Sequence, residues 1–175
     1  MKHETHASLR KLVLSGLFTA VIFVLTAFLP IPLGHGYANA GDTFIILSGI
    51  VLGPWAAAAV SGIASAAADL YLGYSLYAPA TLLIKALMGM SAGVLNALFA
   101  KKSSLRFHVS IAAIGLTSEG IMVLGYFLFE TIAFGAAIAF ADVAGNLMQA
   151  AFAVVLSFFM YSMLRKTGIL NELQK

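Results

Sequence analysis

Long apolar segments separated by short polar ones fill most of the chain. A helix needs about 20 apolar residues to cross the hydrocarbon core of a bilayer, and runs near this length recur along the sequence. They predict an all-α integral membrane protein with six transmembrane helices, forming a single domain over residues 1–175. The predicted spans are residues 12–29, 43–52, 55–72, 79–100, 107–130 and 142–164.

Two topologies are open for the second and third runs. The run at residues 43–52 is short, and only Gly53 and Pro54 separate it from the run at residues 55–72. The pair forms either two spans, of which the first is short or tilted, or a re-entrant hairpin that turns at Gly53 and Pro54. A hairpin would need protein or water around its non-helical turn. We favour two spans.

Composition supports the membrane assignment and excludes some chemistry. Of the 175 residues, 61% are hydrophobic and 10% are charged, too few charges to cover the surface of a soluble domain. The basic, apolar N-terminus resembles a signal peptide, but its run is too long and no cleavage pattern follows, which predicts a retained helix. The chain has no cysteine and no metal-ligand spacing among its four histidines. This spacing predicts no metal site, and we also expect no cofactor and no nucleic-acid partner.

The basic residues predict the orientation in the membrane. The segments 30–41, 73–78 and 131–141 carry none, so the positive-inside rule places both termini and the 101–106 loop in the cytoplasm, for a protein of the plasma membrane. The tenth basic residue is Lys85, inside the fourth span. The nine on the predicted inner side are Lys2, Arg10, Lys11, Lys101, Lys102, Arg106, Arg165, Lys166 and Lys175.

Polar side chains within the spans concentrate toward the outer side. Lys85 lies about two turns below the outer end of its span, or roughly 9 Å at 1.5 Å per residue. A charge at the bilayer centre costs at least about 2.5–3.5 kcal/mol, so several on one side predict a water-accessible cavity open to the outside. An internal salt bridge, for example with Asp69, is the alternative role for Lys85. The candidate ligand-binding residues are Tyr37, Asn39, Asp42, Asp69, Lys85, Glu119, Asn146 and Gln149.

Two outer segments add aromatic and polar groups. The loop "GHGYANAGDTF", residues 34–44, is interpreted as a lid in which Tyr37 stacks on a ligand and Asn39 forms hydrogen bonds with it. The alternative is an ordinary turn, and Asp42 is in either case expected to act as N-cap of the second helix. The three tyrosines of "YLGYSLYAP", residues 71–79, fit an interfacial aromatic belt or ligand stacking equally well.

Small residues on the first helix provide a candidate contact surface. Gly16 and Ala20 are four residues apart, a spacing that lets another helix approach closely. Packing inside the bundle explains the same pattern.

Missing motifs narrow the function. No G-x-x-x-x-G-K-[ST] phosphate loop, H-E-x-x-H or G-x-S-x-G occurs, so the chain is not expected to be an enzyme, and ATP hydrolysis is expected from partner subunits. No convincing internal repeat supports the inverted-repeat design of many carriers. A proton-coupled secondary carrier that uses Glu119, and an intramembrane enzyme, are the alternatives from other classes.

Three segments resemble a known family. They are "RKLVLSGLFTAVIFVLTAF", "GYANAGDTFIILSGIVLGPWAAAAVSGIASAAADL" and "GYSLYAPATLLIKALMGMSAGVL", within residues 10–100. Together they are similar to the substrate-binding S component of an energy-coupling factor (ECF) vitamin transporter, in the family for uptake of riboflavin and of hydroxymethylpyrimidine or pyridoxine.

The resemblance implies a module that binds a vitamin from outside and works with a transmembrane T component and two ABC-type ATPases. Gly16 and Ala20 match the small residues through which the family contacts the T component, with glycine here in place of alanine at the first position. Pyridoxine or hydroxymethylpyrimidine is the expected ligand, because charged and amide groups offer hydrogen bonds to a compact polar ring. Riboflavin is the second choice.

Overall fold

The computed structural model describes residues 2–33, 36–99 and 105–173. In these ranges the chain forms seven helices and one short hairpin. The elements are α1 (Lys2–Phe28), β1 (Ile31–Leu33), β2 (Gly36–Ala38), α2 (Gly41–Leu52), α3 (Pro54–Leu72), α4 (Ala78–Phe99), α5 (Leu105–Phe134), α6 (Ala136–Lys166) and α7 (Ile169–Leu173).

Five helices are long and apolar enough to cross a membrane, which confirms the helical membrane fold class. Their outer surfaces carry large apolar side chains such as Leu12, Ile132 and Phe140, which suits contact with lipid. The candidate spans are Leu9–Phe28, Pro54–Leu72, Ala78–Phe99, His108–Phe134 and Ala136–Lys166.

Helix α2 differs from these five in length and burial. Its 12 residues extend only roughly 18 Å at 1.5 Å per residue, less than the hydrocarbon core of about 30 Å. Most of its side chains are buried among the other helices. Gly53, with φ of +79°, joins it to α3, and Pro54 opens α3 at a position where its missing N–H does no harm. The two-span arrangement of residues 43–72 stays a prediction.

The boundary between α5 and α6 lies elsewhere than expected. The predicted loop at residues 131–141 is helical except at Gly135, whose φ of +95° reverses the chain. The predicted fifth span ends at Glu130, and the predicted sixth span begins at Asp142. Both side chains are instead buried inside helices, at 3% and 7% exposure.

A short two-stranded hairpin was not expected from the all-α prediction. Strands β1 and β2 pair antiparallel, with Ile31 opposite Ala38 and Leu33 opposite Gly36. The segment contains a proline and glycines, so its sequence indicated a loop. The hairpin connects α1 to α2 and carries Tyr37 toward the bundle.

Helix α4 lies at the centre of the bundle and packs against α2, α3 and α5. Glycines allow the close approach to α3: a Cβ at Gly62 would lie 2.7 Å from the Leu82 carbonyl oxygen, and one at Gly89 2.7 Å from that of Ala57. Gly62 of α3 therefore serves packing inside the bundle.

The two ends of the bundle differ in chemistry. One end gathers the hairpin, the start of α2, the turn at residues 73–77 and the junction at Gly135. The other end carries Arg10 and Lys11 on α1 and Arg165 and Lys166 at the end of α6. Of the other basic residues that predict the orientation, three lie outside the described ranges: Lys101, Lys102 and Lys175. Which end faces the cytoplasm stays a prediction.

Candidate ligand-binding site

A polar cavity lies at the hairpin end of the bundle. The centre of a water-sized sphere can occupy about 40 Å³ within it, and the space not filled by atoms is about 460 Å³ when the open solvent at its mouth is included. Helices α1, α3, α4, α5 and α6 contribute to it, together with β2 and the turn before α4. The lining residues are Thr26, Tyr37, Asn39, Ser65, Asp69, Tyr74, Tyr77, Thr81, Lys85, Tyr126, Glu130, Asn146 and Gln149.

An ion pair lies at one wall of the cavity. The Nζ of Lys85 is 2.6 Å from Oδ1 of Asp42, and both side chains are almost completely buried. The suggestion that Asp69 would be the partner of Lys85 is wrong, because the packing of α2 against α4 brings Asp42 to the lysine instead. Lys85 also lies 5.5 Å from the centre of the Tyr126 ring, within cation–π range.

Gln149 joins this pair to the loop that precedes α2. Its Nε2 donates a hydrogen bond to Oδ2 of Asp42, and its Oε1 accepts one from the backbone N–H of Asn39 at 3.1 Å. The predicted capping role of Asp42 is wrong, because α2 begins at Gly41 and Asp42 already lies in its first turn. Oδ1 of Asn39 accepts the Gly41 N–H at 2.8 Å and so satisfies a free donor of this helix end.

Tyr37 closes the cavity on the hairpin side. Its hydroxyl donates to Oδ1 of Asp69 at 2.5 Å, and its ring lies 5.2 Å from the ring of Tyr74. Burial, and then the Asp69 carboxylate, raises the pKa of Tyr37 above its ordinary value, so the hydroxyl remains a donor. Of the predicted lid, Gly34 and His35 lie outside the described residues.

Aromatic rings form a further wall. The ring of Tyr77 stacks on Phe134 with centres 5.6 Å apart, and its hydroxyl lies 3.5 Å from Oε1 of Glu130. Tyr71 is 62% exposed and contacts Phe28 instead. The three tyrosines thus divide: Tyr74 and Tyr77 face the cavity, whereas Tyr71 has the position of an interfacial aromatic residue.

Some polar atoms at the cavity are buried without a hydrogen-bond partner among the described residues. They are Oγ of Ser65, Oδ2 of Asp69 and Nδ2 of Asn146. A buried polar group left unpaired costs free energy, so a ligand or water that pairs with these atoms would be stabilised there. Together they offer an acceptor, a donor and a hydroxyl that can do either.

The structure brings together six of the eight candidate binding residues. Asp42 lies behind the lining, where it contacts Lys85 and Gln149. Glu119 borders a separate apolar groove between α5 and α6, and its two carboxylate oxygens have no hydrogen-bond partner in the described part of the chain. Direct ligand contact by these two stays a prediction.

Several lining residues escaped the sequence-based prediction. Thr81 could have been found, because it lies four residues before Lys85 and so shares its helix face. Hydroxyls inside apolar helices are otherwise too common to single out. The missed residues are Thr26, Ser65, Thr81, Tyr126 and Glu130. Ligand stacking by the tyrosines of residues 71–79, among them Tyr74 and Tyr77, was one of the two open interpretations of that segment.

The small residues of α1 lie on the outside of the bundle. Gly16 and Ala20 are exposed, and a Cβ at Gly16 would meet no atom within 4 Å. Packing of Gly16 inside the bundle is therefore not observed. Their contact with another subunit stays a prediction.

The described residues contain no cluster of three or more His, Cys, Asp or Glu side chains that could hold a metal ion. The described lining residues offer hydrogen-bonding groups and aromatic surfaces, and Lys85 among them is paired with Asp42. A membrane-embedded bundle with such a cavity at one end defines a small-molecule-binding membrane protein.

Comparison with known proteins shows the family. Residues 6–166 match the family described as "ECF-type riboflavin transporter, S component", and the chain therefore belongs to it. It is 28% identical over 178 residues to "Thiamine precursor transporter HmpT" from Lactococcus lactis subsp. cremoris, covering 100% of this chain and 99% of that protein. It is also 32% identical over 129 residues to a Pyrococcus woesei protein described as "Uncharacterized protein in gap 3'region", covering 73% and 82% of the two chains.

Proposed function

We propose that this protein is the substrate-binding subunit of an ATP-driven ECF importer and that it binds hydroxymethylpyrimidine or the similarly compact pyridoxine. The observation that supports this most is the set of unpaired buried atoms in the cavity, Oδ2 of Asp69 and Nδ2 of Asn146, beside an aromatic wall. A small heteroaromatic ring offers acceptors to the amide and ammonium donors, donors to the carboxylate, and a flat face to Tyr74 and Tyr77.

The similarity to HmpT supports a pyrimidine ligand, because that protein is named for transport of a thiamine precursor. Riboflavin is the second candidate. The name of the matching family favours it, and a larger aromatic ring system could use the rings of Tyr77 and Phe134. Its tricyclic ring requires more apolar wall than the polar lining around Lys85 provides.

The transport cycle requires partners, because the chain carries no phosphate-binding loop. A transmembrane T component would dock on the exposed face of α1 around Gly16 and Ala20, and two ABC-type ATPases would drive the complex. The basic residues at the far end of the bundle support a cytoplasmic location for both termini and a cavity that opens outward across the plasma membrane.

Native mass spectrometry of the purified protein tests the ligand. We expect an added mass equal to hydroxymethylpyrimidine or pyridoxine, and loss of that mass from a Lys85→Met variant purified in parallel. An added mass of riboflavin would favour the second candidate. If titration with all three compounds also gave no binding, the proposed function would be wrong.

A further inference from the structure

Asp42 contacts two cavity-lining residues without lining the cavity itself. Its side chain is 1% exposed. Oδ1 accepts from the Lys85 ammonium at 2.6 Å, and Oδ2 accepts from Nε2 of Gln149. Both oxygens are therefore engaged, and the carboxylate is held by charge-assisted bonds on both sides.

These bonds also set the orientation of the two lining residues. Oε1 of Gln149 accepts from Asn39 while Nε2 donates to Asp42, so a flip of the amide would lose both bonds. The ammonium of Lys85 has three donors and uses one for Asp42, which leaves the others for the cavity. Asp42 thus holds a donor group and an amide in place from behind.

The lining of the cavity contains more acidic than basic side chains among its described residues. Lys85 is the cation among the lining residues of the described chain, whereas Asp69 and Glu130 add carboxyl groups to that lining. Asp69 is already bonded to Tyr37. Because Asp42 balances the charge of Lys85 at close contact, the cavity presents the lysine as a hydrogen-bond donor without a surplus positive charge.

We propose that Asp42 is a positioning residue that makes the cavity selective for neutral ligands over their anionic phosphate esters. A phosphate group entering the cavity would meet a lysine that is already paired and carboxyl groups of its own sign, and like charges brought together in a poorly hydrated site are costly. The inference rests on the proposed function of this cavity and further specifies that its ligand carries no net negative charge.

The test compares each neutral ligand with its monophosphate by calorimetry, using hydroxymethylpyrimidine, pyridoxine and riboflavin. The wild-type protein is expected to bind the neutral form at least about 100-fold more tightly than the ester. Asp42→Asn keeps an oxygen for Gln149 and removes the charge, so Lys85 becomes unbalanced. We expect weaker binding of the neutral form and a discrimination ratio at least about tenfold smaller, a change of about 1.4 kcal/mol.

Two further variants separate positioning from folding. Asp42→Asn combined with Lys85→Met removes both members of the buried pair and should fold even if the single variant does not. The double variant should reject the monophosphate as wild type does. Its affinity for the neutral ligand should lie within about threefold of that of Lys85→Met alone, because the effects of coupled residues do not add. Thr43→Val, a buried neighbour on α2, should leave the discrimination ratio unchanged.

An unchanged discrimination ratio in Asp42→Asn would overturn the proposal. Additive losses of neutral-ligand affinity in the double variant would overturn it too, because they would indicate direct ligand contact by Asp42. A wild-type protein that binds none of the three neutral ligands would instead remove the proposed function on which the proposal rests. A ratio that falls in Asp42→Asn and recovers in the double variant supports it.

Discussion

The hydroxyl of Tyr37 on β2 lies 2.5 Å from Oδ1 of Asp69 near the end of α3. This bond fastens the hairpin between α1 and α2 to the wall of the cavity. A second attachment, from the Asn39 N–H to Gln149, lies two residues further along. The groups that hold the hairpin in place thus belong to the same side chains that line the cavity.

Removing the Tyr37 hydroxyl should loosen this closure. Tyr37→Phe keeps the ring beside Tyr74 but loses a hydrogen bond to a charged group, which is worth about 1.5–3 kcal/mol. We expect faster ligand dissociation, by roughly tenfold or more, measured by stopped-flow fluorescence. Tyr71→Phe is the matched control, because Tyr71 is exposed and lies outside the cavity. Equal dissociation rates in the two variants would contradict a closing role for Tyr37.

Lys85→Met should affect both ligand binding and stability. The lysine lines the cavity, so loss of its charge-assisted bond to the ligand should lower affinity by about 1.5–3 kcal/mol. Lys85 also balances the charge of Asp42. Its removal leaves a buried carboxylate without a partner, which should lower the free energy of unfolding by about 3–5 kcal/mol. Calorimetric titration and a melting curve of the ligand-free protein measure the two effects.

Lys166→Met is the control for this variant, since Lys166 is an exposed lysine at the opposite end of the bundle. It should change neither quantity. An unchanged melting temperature in Lys85→Met would contradict the ion pair with Asp42, and an unchanged affinity would leave the lysine with a structural role alone.

Enlarging the small residues of α1 should separate binding from transport. Gly16→Leu or Ala20→Leu adds bulk to an exposed face far from the cavity, so ligand affinity in detergent should remain within about twofold of wild type. Uptake by cells that carry the partner subunits should be lost, because a partner helix could no longer approach closely. Ala151→Leu, at an exposed position of α6, should transport normally. Loss of binding together with uptake would argue against a docking surface.

The absence of cysteine makes the topology directly testable. Ser75 lies in the exposed turn before α4, and Ser103 belongs to the loop between the fourth and fifth predicted spans. A membrane-impermeant thiol reagent added to intact cells should label Ser75→Cys, whereas Ser103→Cys should react only after permeabilisation. Labelling of both positions from the same side would refute the predicted orientation.

The helices were largely predictable because apolar length is a strong local signal. Helices α3 (Pro54–Leu72) and α4 (Ala78–Phe99) lie close to the apolar runs at residues 55–72 and 79–100, whereas α1 begins well before its run, at Lys2. The spans themselves stay predictions. The boundary between α5 and α6 was not predictable from charged residues, since Glu130 and Asp142 are buried within helices. The hairpin at residues 31–38 was missed because strands of three residues contain no measurable alternation.

The cavity was predictable as a region and only partly in its contacts. Depth along the helices pointed to Lys85, Asn146 and Gln149, and all three line it. The partner of Lys85 was not predictable, because Asp42 and Asp69 both lie near helix ends at the hairpin end of the bundle. Only the packing of α2 against α4 decides between them, and that packing depends on glycines whose effect is tertiary.

We infer that a neutral heteroaromatic vitamin binds in this cavity. The most direct measurement is a calorimetric titration of hydroxymethylpyrimidine into the wild-type protein and into Asn146→Leu, a variant of similar volume that lacks the unpaired amide donor. We expect saturable one-to-one binding to wild type and an affinity loss of about 1–3 kcal/mol in the variant. Equal affinity of the two proteins would contradict it, as would a failure of wild type to bind hydroxymethylpyrimidine, pyridoxine or riboflavin.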